Sequence, residues 1–247
     1  MVARNVGSER ENLEPLNLNW KVEMATCCLN DVLANKEFFK RLTRKNFEIV
    51  ITRFNEDLAW TDGIEHLCTV YNKGEPFSKG ACTVFPVPNN GLGTETMLRH
   101  IVEQYHNLSD VTFFCQATLC DREDQPLYPL TTYAKCGIDE IVCVKENLWE
   151  LPTARFRWRV SSPECVSVGD VDLATWRKIV FGEQLPFRGM YESWVKGDWI
   201  AAGRERILRR PKKFYRDLYE ACQFYRGLQV EEMWFLERSF HSILQKT

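Results

Sequence analysis

The chain has 247 residues, of which 45% are hydrophobic and 27% are charged, and its formal net charge is -2. This composition is typical of a soluble globular protein and excludes disordered, fibrous and collagen-like chains. Lysine and arginine total 32 against 34 acidic residues. The chain as a whole therefore has no general attraction for nucleic acid or acidic membranes, and any polyanion site must be local.

The cellular compartment is predicted from apolar segments and cysteines. No stretch approaches the roughly 18 apolar residues of a membrane helix, and residues 1–17 lack the apolar core of a signal peptide. The ten cysteines form no C-x-x-C pair, and Cys115 and Cys143 lie in apolar runs where a thiol packs as a small hydrophobe. We expect a cytoplasmic protein with mostly free thiols, no membrane span and no structural zinc.

The residue pattern in the first half of the chain predicts an N-terminal extension followed by β-strands. Residues 1–45 are expected to form an N-terminal extension, with a helix from Asn30 to Lys45, and residues 46–247 a single domain. The β-branched run at 47–53 and the run at 66–71 each stop at polar turn residues, which is typical of buried strands.

The remaining pattern alternates helices and strands before a helical C-terminal region. Leu98, Ile101, Val102 and Tyr105 have helical spacing, and strands are predicted at 111–115 and 141–144. Helices are predicted over 200–208, 211–226 and 230–244. This order predicts an α/β fold with a mixed, mostly parallel sheet, flanking helices and a helical C-terminal region.

Ligands of open α/β sheets bind outside the carboxyl ends of the strands, so the residues there are the first candidates for a site. They combine amide, carboxylate and cationic groups, which suits the hydroxyls and phosphates of a nucleotide or sugar. The alternative is that strand ends are polar simply because loops are polar. The candidate binding residues at these ends are Arg53, Asn55, Glu56, Asp57, Asn72, Lys73 and Gln116.

A basic run at residues 204–216 contains seven cations and one acid, Glu205. Such a run usually forms a solvated helix face. The alternative is that Arg204 and Arg206 bind a diphosphate, because a planar guanidinium grips two phosphate oxygens. Nucleic acid is not expected as a partner, since the chain is slightly acidic and has no known nucleic-acid motif.

The segment at 194–199 contains a candidate catalytic carboxylate. Asp198 follows a glycine and lies between two tryptophans whose flat faces suit a sugar. The alternative is a turn with both tryptophans in the core, in which Asp198 caps the helix predicted over 200–208. Asp198 is the first candidate for a general base, Glu192 the second and Glu237 the third.

Six segments occur in an order that resembles a domain family of unknown function. RFNEDLAW at 53–60, YNKG at 71–74, LRHIVEQY at 98–105 and VTFFCQ at 111–116 are similar to RYNEDLSWL, IYNKG, YLHHIVENYDNL and VTVFLQG, and the likeness continues at 203–215 and 236–244. The family in turn resembles the A-type (GT-A) nucleotide-sugar glycosyltransferases. The resemblance implies a GT-A-like, Rossmann-related fold and transfer of a sugar from a nucleotide-diphosphate donor to a glycan or other hydroxyl acceptor.

The sequence departs from that pattern at the metal motif. A-type transferases carry an Asp-x-Asp after the strand that corresponds to residues 111–115, and here only Asp121, Glu123 and Asp124 follow. The resemblance therefore leaves the cofactor open, with Mn²⁺ or Mg²⁺ as the divalent ions implied. The alternative function is a catalytically silent nucleotide- or glycan-binding or assembly module with the same fold.

Overall fold

The computed structural model describes residues 30–91, 93–118, 129–143, 148–152, 165–166, 172–182, 191–195, 199–224 and 229–245. Its helices are α1 Lys36–Arg41, α2 Gly93–Gln104, α3 Leu130–Ala134, α4 Leu173–Phe181, α5 Arg204–Leu208, α6 Lys212–Phe224 and α7 Glu231–Leu244. Two short 3-10 helices span Ala59–Thr61 and Glu65–Leu67. The strands are β1 Phe47–Arg53, β2 Cys68–Asn72, β3 Thr83–Pro86, β4 Val111–Gln116, β5 Ile141–Val142, β6 Leu148–Pro152, β7 Cys165–Val166, β8 Tyr191–Val195, β9 Ile200–Gly203 and β10 Gln229–Val230.

Six of the strands form one sheet, in the order β3-β2-β1-β4-β9-β5. The first four of these are parallel to one another, and β9 runs antiparallel to its neighbours β4 and β5. β6 pairs with β8 and β7 with β10 in two separate two-stranded sheets. The prediction of a mixed, mostly parallel α/β sheet with flanking helices is confirmed.

Helices and loops cover both faces of the sheet, as the nearly continuous apolar strands require. On one face, Ile49, Val70 and Phe113 pack with residues of α1, the two 3-10 helices and α3. On the other face, Val50 and Phe114 pack with α2, α6 and α7. We call the edge where β1, β2, β3 and β4 end the carboxyl edge, and the opposite one the amino edge.

The predicted N-terminal helix is present, but it packs into the core. Residues 30–34 are helical, a turn follows, and α1 ends at Arg41 rather than Lys45. Val32 and Phe39 are 2% and 0% exposed and belong to the apolar cluster under the sheet. The helix therefore contributes to the stability of the α/β core.

The prediction of a helix over 200–208 is wrong for the first half of that range. Ile200–Gly203 is strand β9, and only Arg204–Leu208 is helical. All four strand residues are buried, and β9 lies between β4 and β5. Pairing on both sides outweighs the helix propensity of the two alanines in this strand.

Two further observations concern cysteines and membrane spans. The six cysteines whose side chains the structure describes, Cys68, Cys82, Cys115, Cys136, Cys143 and Cys222, are all free thiols. Within the described ranges, every helix is too short or too polar to cross a membrane.

Candidate functional site

The carboxyl edge contains the topological switch point of the sheet. β2 and β3 lie on one side of β1, and β4 lies on the other. In open α/β sheets, ligand crevices form at such a switch point, outside the carboxyl ends of the strands. The predicted residues Arg53 and Gln116 end these two strands.

Arg53 is held rigidly at this edge. Its Nε donates to the carbonyl of Glu56 at 2.9 Å, and its Nη1 donates to Asn72 Oδ1 at 2.7 Å. The guanidinium lies 3.8 Å from the centre of the Phe77 ring, a cation–π contact. The side chain is 8% exposed, so its position is fixed before any ligand arrives.

The loops after β1 and β2 are joined by further hydrogen bonds. Glu56 Oε2 accepts from the backbone N–H groups of Phe54 and Asn55 at 2.6 and 3.1 Å. Asn55 Oδ1 accepts from the N–H of Glu75 at 2.9 Å. We call Arg53, Asn55, Glu56, Asn72 and Gly74 the tip cluster.

Gly74 lets the two loops approach closely. A Cβ atom at this position would lie 1.5 Å from the carbonyl oxygen of Phe54, a distance that no side chain tolerates. The glycine of the YNKG segment therefore has a structural role in closing the tip cluster.

The third loop, which follows β4, is tied to the first. Trp60 Nε1 donates to the carbonyl of Ala117 at 2.9 Å, and the N–H of Ala117 donates to the carbonyl of Thr52 at 2.8 Å. Asp57 Oδ1 accepts from the N–H of Ala59 at 3.2 Å and so initiates the turn that carries Trp60. Asn55 and Asp57 are nevertheless exposed to solvent.

Lys73 belongs to a buried network and is 8% exposed. Its Nζ lies 2.9 Å from Glu95 Oε2 and donates to the carbonyl of Asn90 at 2.7 Å. Burial lowers the pKa of Lys73, although the Glu95 carboxylate opposes this shift. Gln223 Nε2, on α6, donates to Glu95 Oε1 at 2.9 Å.

Sequence reasoning missed Glu95, Asn90 and Gln223 as partners of Lys73. Glu95 lies in the first turn of α2, where an acidic residue is also favoured by the helix dipole. The preference for an acidic residue in the first helical turn is the sequence signal at Glu95. It does not identify Lys73, 22 residues earlier in the chain, as the partner.

The structure does not bring Arg204 and Arg206 together with the tip cluster. Because β9 is antiparallel to β4, Gly203 pairs with Val111 and the chain leaves the sheet at the amino edge. Arg204 Nη1 donates there to Asp110 Oδ1 at 2.8 Å, and Arg206 Nη2 donates to the carbonyl of Asp139 at 2.7 Å.

The three candidate bases have different positions in the chain. Asp198 lies outside the described residues, and the first half of the helix that it was expected to cap is strand β9. Glu192 is in β8, paired with Leu151 of β6, and its side chain lies outside the described part. Glu237 is in α7, 10% exposed, with Oε2 3.9 Å from Arg238 Nη1.

No protein-family model matches this chain, and neither do any curated proteins or solved structures.

Proposed function

We propose that the chain is a glycosyltransferase of A-type architecture. It transfers a sugar from a nucleotide-diphosphate donor, bound at the carboxyl edge between β1 and β4, to a glycan or other hydroxyl acceptor. The order β3-β2-β1-β4 supports this proposal because it matches the parallel half of a Rossmann-type sheet, in which nucleotides bind at the strand reversal.

The observation that carries the proposal is the state of the Arg53 guanidinium. Nε and Nη1 are committed to the tip cluster, whereas Nη2 makes no hydrogen bond to any residue in the described part of the chain. A buried, fixed guanidinium with one remaining NH₂ group suits an anionic acceptor such as a phosphate oxygen. Its rigidity reduces the entropy that binding costs.

Phe54 supports a nucleotide in particular. It follows Arg53 directly, and its side chain is 49% exposed at the carboxyl edge. Exposed aromatic rings beside a phosphate-binding cation are suitable for stacking a nucleobase. The exposed Asn55 and Asp57 next to it supply hydrogen-bonding groups for ribose or sugar hydroxyls.

In the proposed reaction, a carboxylate takes the proton of the acceptor hydroxyl, with Asp198, Glu192 and Glu237 as the candidates in that order. Arg53 stabilises the negative charge of the departing diphosphate. The described residues contain no group of three His, Cys, Asp or Glu side chains that could hold a metal ion. Asp121, Glu123 and Asp124 lie outside the described residues, and the proposal names no residue that would hold Mn²⁺ or Mg²⁺.

A thermal-shift titration with UDP-glucose, GDP-mannose and the free diphosphates tests donor binding, because a ligand of the native state raises the Tm. We expect a shift with at least one of these nucleotides and a loss of about tenfold or more in affinity for Phe54→Ala. Leu208→Ala is the matched control, since Leu208 is 39% exposed on α5 at the amino edge. Equal affinities for the two variants would contradict the proposed position of the nucleotide.

The second candidate is a catalytically silent nucleotide- or glycan-binding or assembly module. It is favoured by the tip cluster itself, in which Arg53, Asn55, Glu56 and Asn72 mainly bind one another and the backbone. Binding of a nucleotide-sugar with no turnover by the full chain would select this function.

A further inference from the structure

A cavity lies at the amino edge, away from the tip cluster. It has a volume of about 260 Å³ and lies between the β1-β2-β3 part of the sheet and the last turns of α2. We call it the amino-edge pocket. Arg44, Lys45, Glu48, Thr69, His100 and Ser109 are among the residues that line it.

The floor of the amino-edge pocket is a buried carboxylate. Glu48 Oε1 accepts from Thr69 Oγ1 at 2.6 Å, and Oε2 accepts from Ser109 Oγ at 2.9 Å. Burial acts to raise the pKa of Glu48, but His100, Thr69 and Ser109 together outweigh it and hold the pKa below its ordinary value. Glu48 is therefore an ionised acceptor at neutral pH.

His100 is 0% exposed. Its ring lies between Glu48 and the Tyr71 hydroxyl. Its Nδ1 lies 3.2 Å from the Tyr71 hydroxyl, which also lies 3.3 Å from Glu103 Oε2. Burial raises the pKa of Tyr71, so this hydroxyl keeps its proton. When Nδ1 accepts that proton in a hydrogen bond, Nε2 carries the imidazole N–H and is a donor.

Two buried nitrogens of this pocket have no hydrogen-bond acceptor among the described residues. Arg44 Nε and His100 Nε2 have no hydrogen-bond partner within the part of the chain that the structure describes. His100 Nε2 is 3.5 Å from Glu48 Oε2, which is close enough for electrostatic attraction but lacks hydrogen-bond geometry. Unsatisfied buried donors are costly, so they favour a ligand that supplies acceptor oxygens.

The charges and shape of the lining define the ligand further. Arg44 and Lys45 place two cations against the one carboxylate of Glu48, which favours a ligand with a single anionic group. Thr69, Ser109 and the amide side chains of Gln104 and Asn107 match neutral hydroxyls. Phe85, which is 40% exposed, adds a flat apolar face of the kind that sugar rings contact.

We propose that the amino-edge pocket binds a monosaccharide-sized polyol that carries one anionic group, a carboxylate or a phosphate. The anionic group contacts Arg44 and Lys45, and the ring hydroxyls contact Glu48, Ser109 and the side chain of His100. The volume of about 260 Å³ accommodates one sugar ring with its substituent. This site is separate from the donor site proposed at the carboxyl edge and does not depend on it.

Calorimetric titration of the full chain with D-glucuronate, glucose 6-phosphate and glucose tests the proposal. We expect saturable binding of at least one charged probe and weaker binding of glucose. Binding of glucuronate alone identifies a carboxylate ligand, and binding of the phosphate alone identifies a phosphorylated one. The absence of saturable binding by both charged probes, or equal affinity for glucose, would overturn the proposal.

Variants locate the bound probe. Lys45 is exposed, so Lys45→Met should fold normally and weaken binding of the charged probe about fivefold. Arg44→Lys keeps the charge but removes Nε, together with the hydrogen bonds that Nη1 and Nη2 donate to Thr83 Oγ1 and to the carbonyls of His66 and Cys68, and it should weaken binding at least as much. Lys36→Met, an exposed lysine on α1 outside the pocket, is the matched control. Unchanged affinity in Lys45→Met would exclude this pocket as the binding site.

The same titration with Phe54→Ala separates this site from the proposed donor site. Binding of the charged probe should be unchanged in that variant, because Phe54 lies at the opposite edge of the sheet. A loss of probe binding in Phe54→Ala would show that the probe occupies the carboxyl edge, which contradicts the assignment of the amino-edge pocket.

Discussion

Lys73 Nζ and Glu95 Oε2 lie 2.9 Å apart, and their side chains are 3% and 0% exposed. This buried ion pair joins the end of β2 to the first turn of α2, directly behind the tip cluster. A pair removed from water has little effect on stability relative to an apolar pair, but removing Lys73 leaves the buried Glu95 carboxylate with Arg99 as its cation, whose Nη2 lies 3.2 Å from Oε1. The pair therefore fixes the relative positions of the β2 end and α2.

Replacing Lys73 with Met should lower the free energy of unfolding by about 2 kcal/mol, because the Glu95 carboxylate remains buried and keeps only Arg99 and Gln223 of the partners described above. Urea denaturation measures the change. Lys40→Met is the control, since Lys40 forms an ion pair of the same 2.9 Å length with Glu37 at the surface, where solvent screens the attraction and its loss should change stability little. Similar losses of unfolding free energy in the two variants would mean that the buried Lys73–Glu95 pair contributes no more to stability than a surface pair.

Gly74→Ala should open the tip cluster. The added Cβ would lie 1.5 Å from the Phe54 carbonyl oxygen, so one of the two loops must move. We expect a loss of stability of about 3 kcal/mol or more, as for other severe steric changes. Thermal unfolding compares this variant with Gly63→Ala.

Gly63 provides the matched control because its φ is +88° and, apart from its two chain neighbours, no described residue has an atom within 4 Å of an added Cβ. Its replacement should cost only the backbone strain, about 1–2 kcal/mol. A Gly74→Ala protein as stable as Gly63→Ala would contradict the close approach of the two loops.

Local patterns predicted strands well where tertiary contacts agreed with them. The β-branched run at 47–53 is strand β1 with the predicted bounds. Ile200–Gly203 was predicted as a helix, because its alanines have high helix propensity and the pairing with β4 and β5 is not visible locally.

The site was predicted in part for the same reason. Arg53 and Asn72 meet because parallel neighbouring strands end at one edge, which the order of the segments indicates. Arg204 lies at the other edge, because the direction of β9 depends on its partner and not on its own residues. The buried role of Lys73 depends on Glu95, and hydrophobic periodicity does not report such pairs.

Glu48 should make stability sensitive to acid. Its pKa is held below the ordinary value of 4.5, so the folded state favours the ionised form. The stabilising contribution is therefore complete above about pH 4.5 and is lost as the pH falls through the lower pKa of the folded state. His100, Tyr71 and Glu103 are the other titratable groups of this network.

Unfolding free energies measured from pH 7 to pH 3 test this contribution. Glu48→Gln should be less stable than the wild type at pH 7, and the difference should shrink as the pH falls. A difference that stays constant over this range would show that the ionised form of Glu48 is not preferred in the folded protein.

Asp198→Asn tests the first candidate base. The amide keeps the shape of the side chain but cannot take a proton, so sugar transfer should fall by about 100-fold or more while Tm and donor binding are retained. Asp217→Asn, in an exposed ion pair with Lys213 on α6, should leave transfer unchanged. Retained transfer in Asp198→Asn would exclude Asp198 as the base, and Glu192 and then Glu237 would be replaced in the same way.

The most direct test of the proposed function is the release of nucleotide diphosphate from a panel of nucleotide-sugars by the full chain, with and without hydroxyl acceptors and divalent ions. We predict release from at least one donor, and a loss of this release in Phe54→Ala but not in Leu208→Ala. Failure to bind or turn over every donor in the panel would contradict a nucleotide-sugar site at the carboxyl edge.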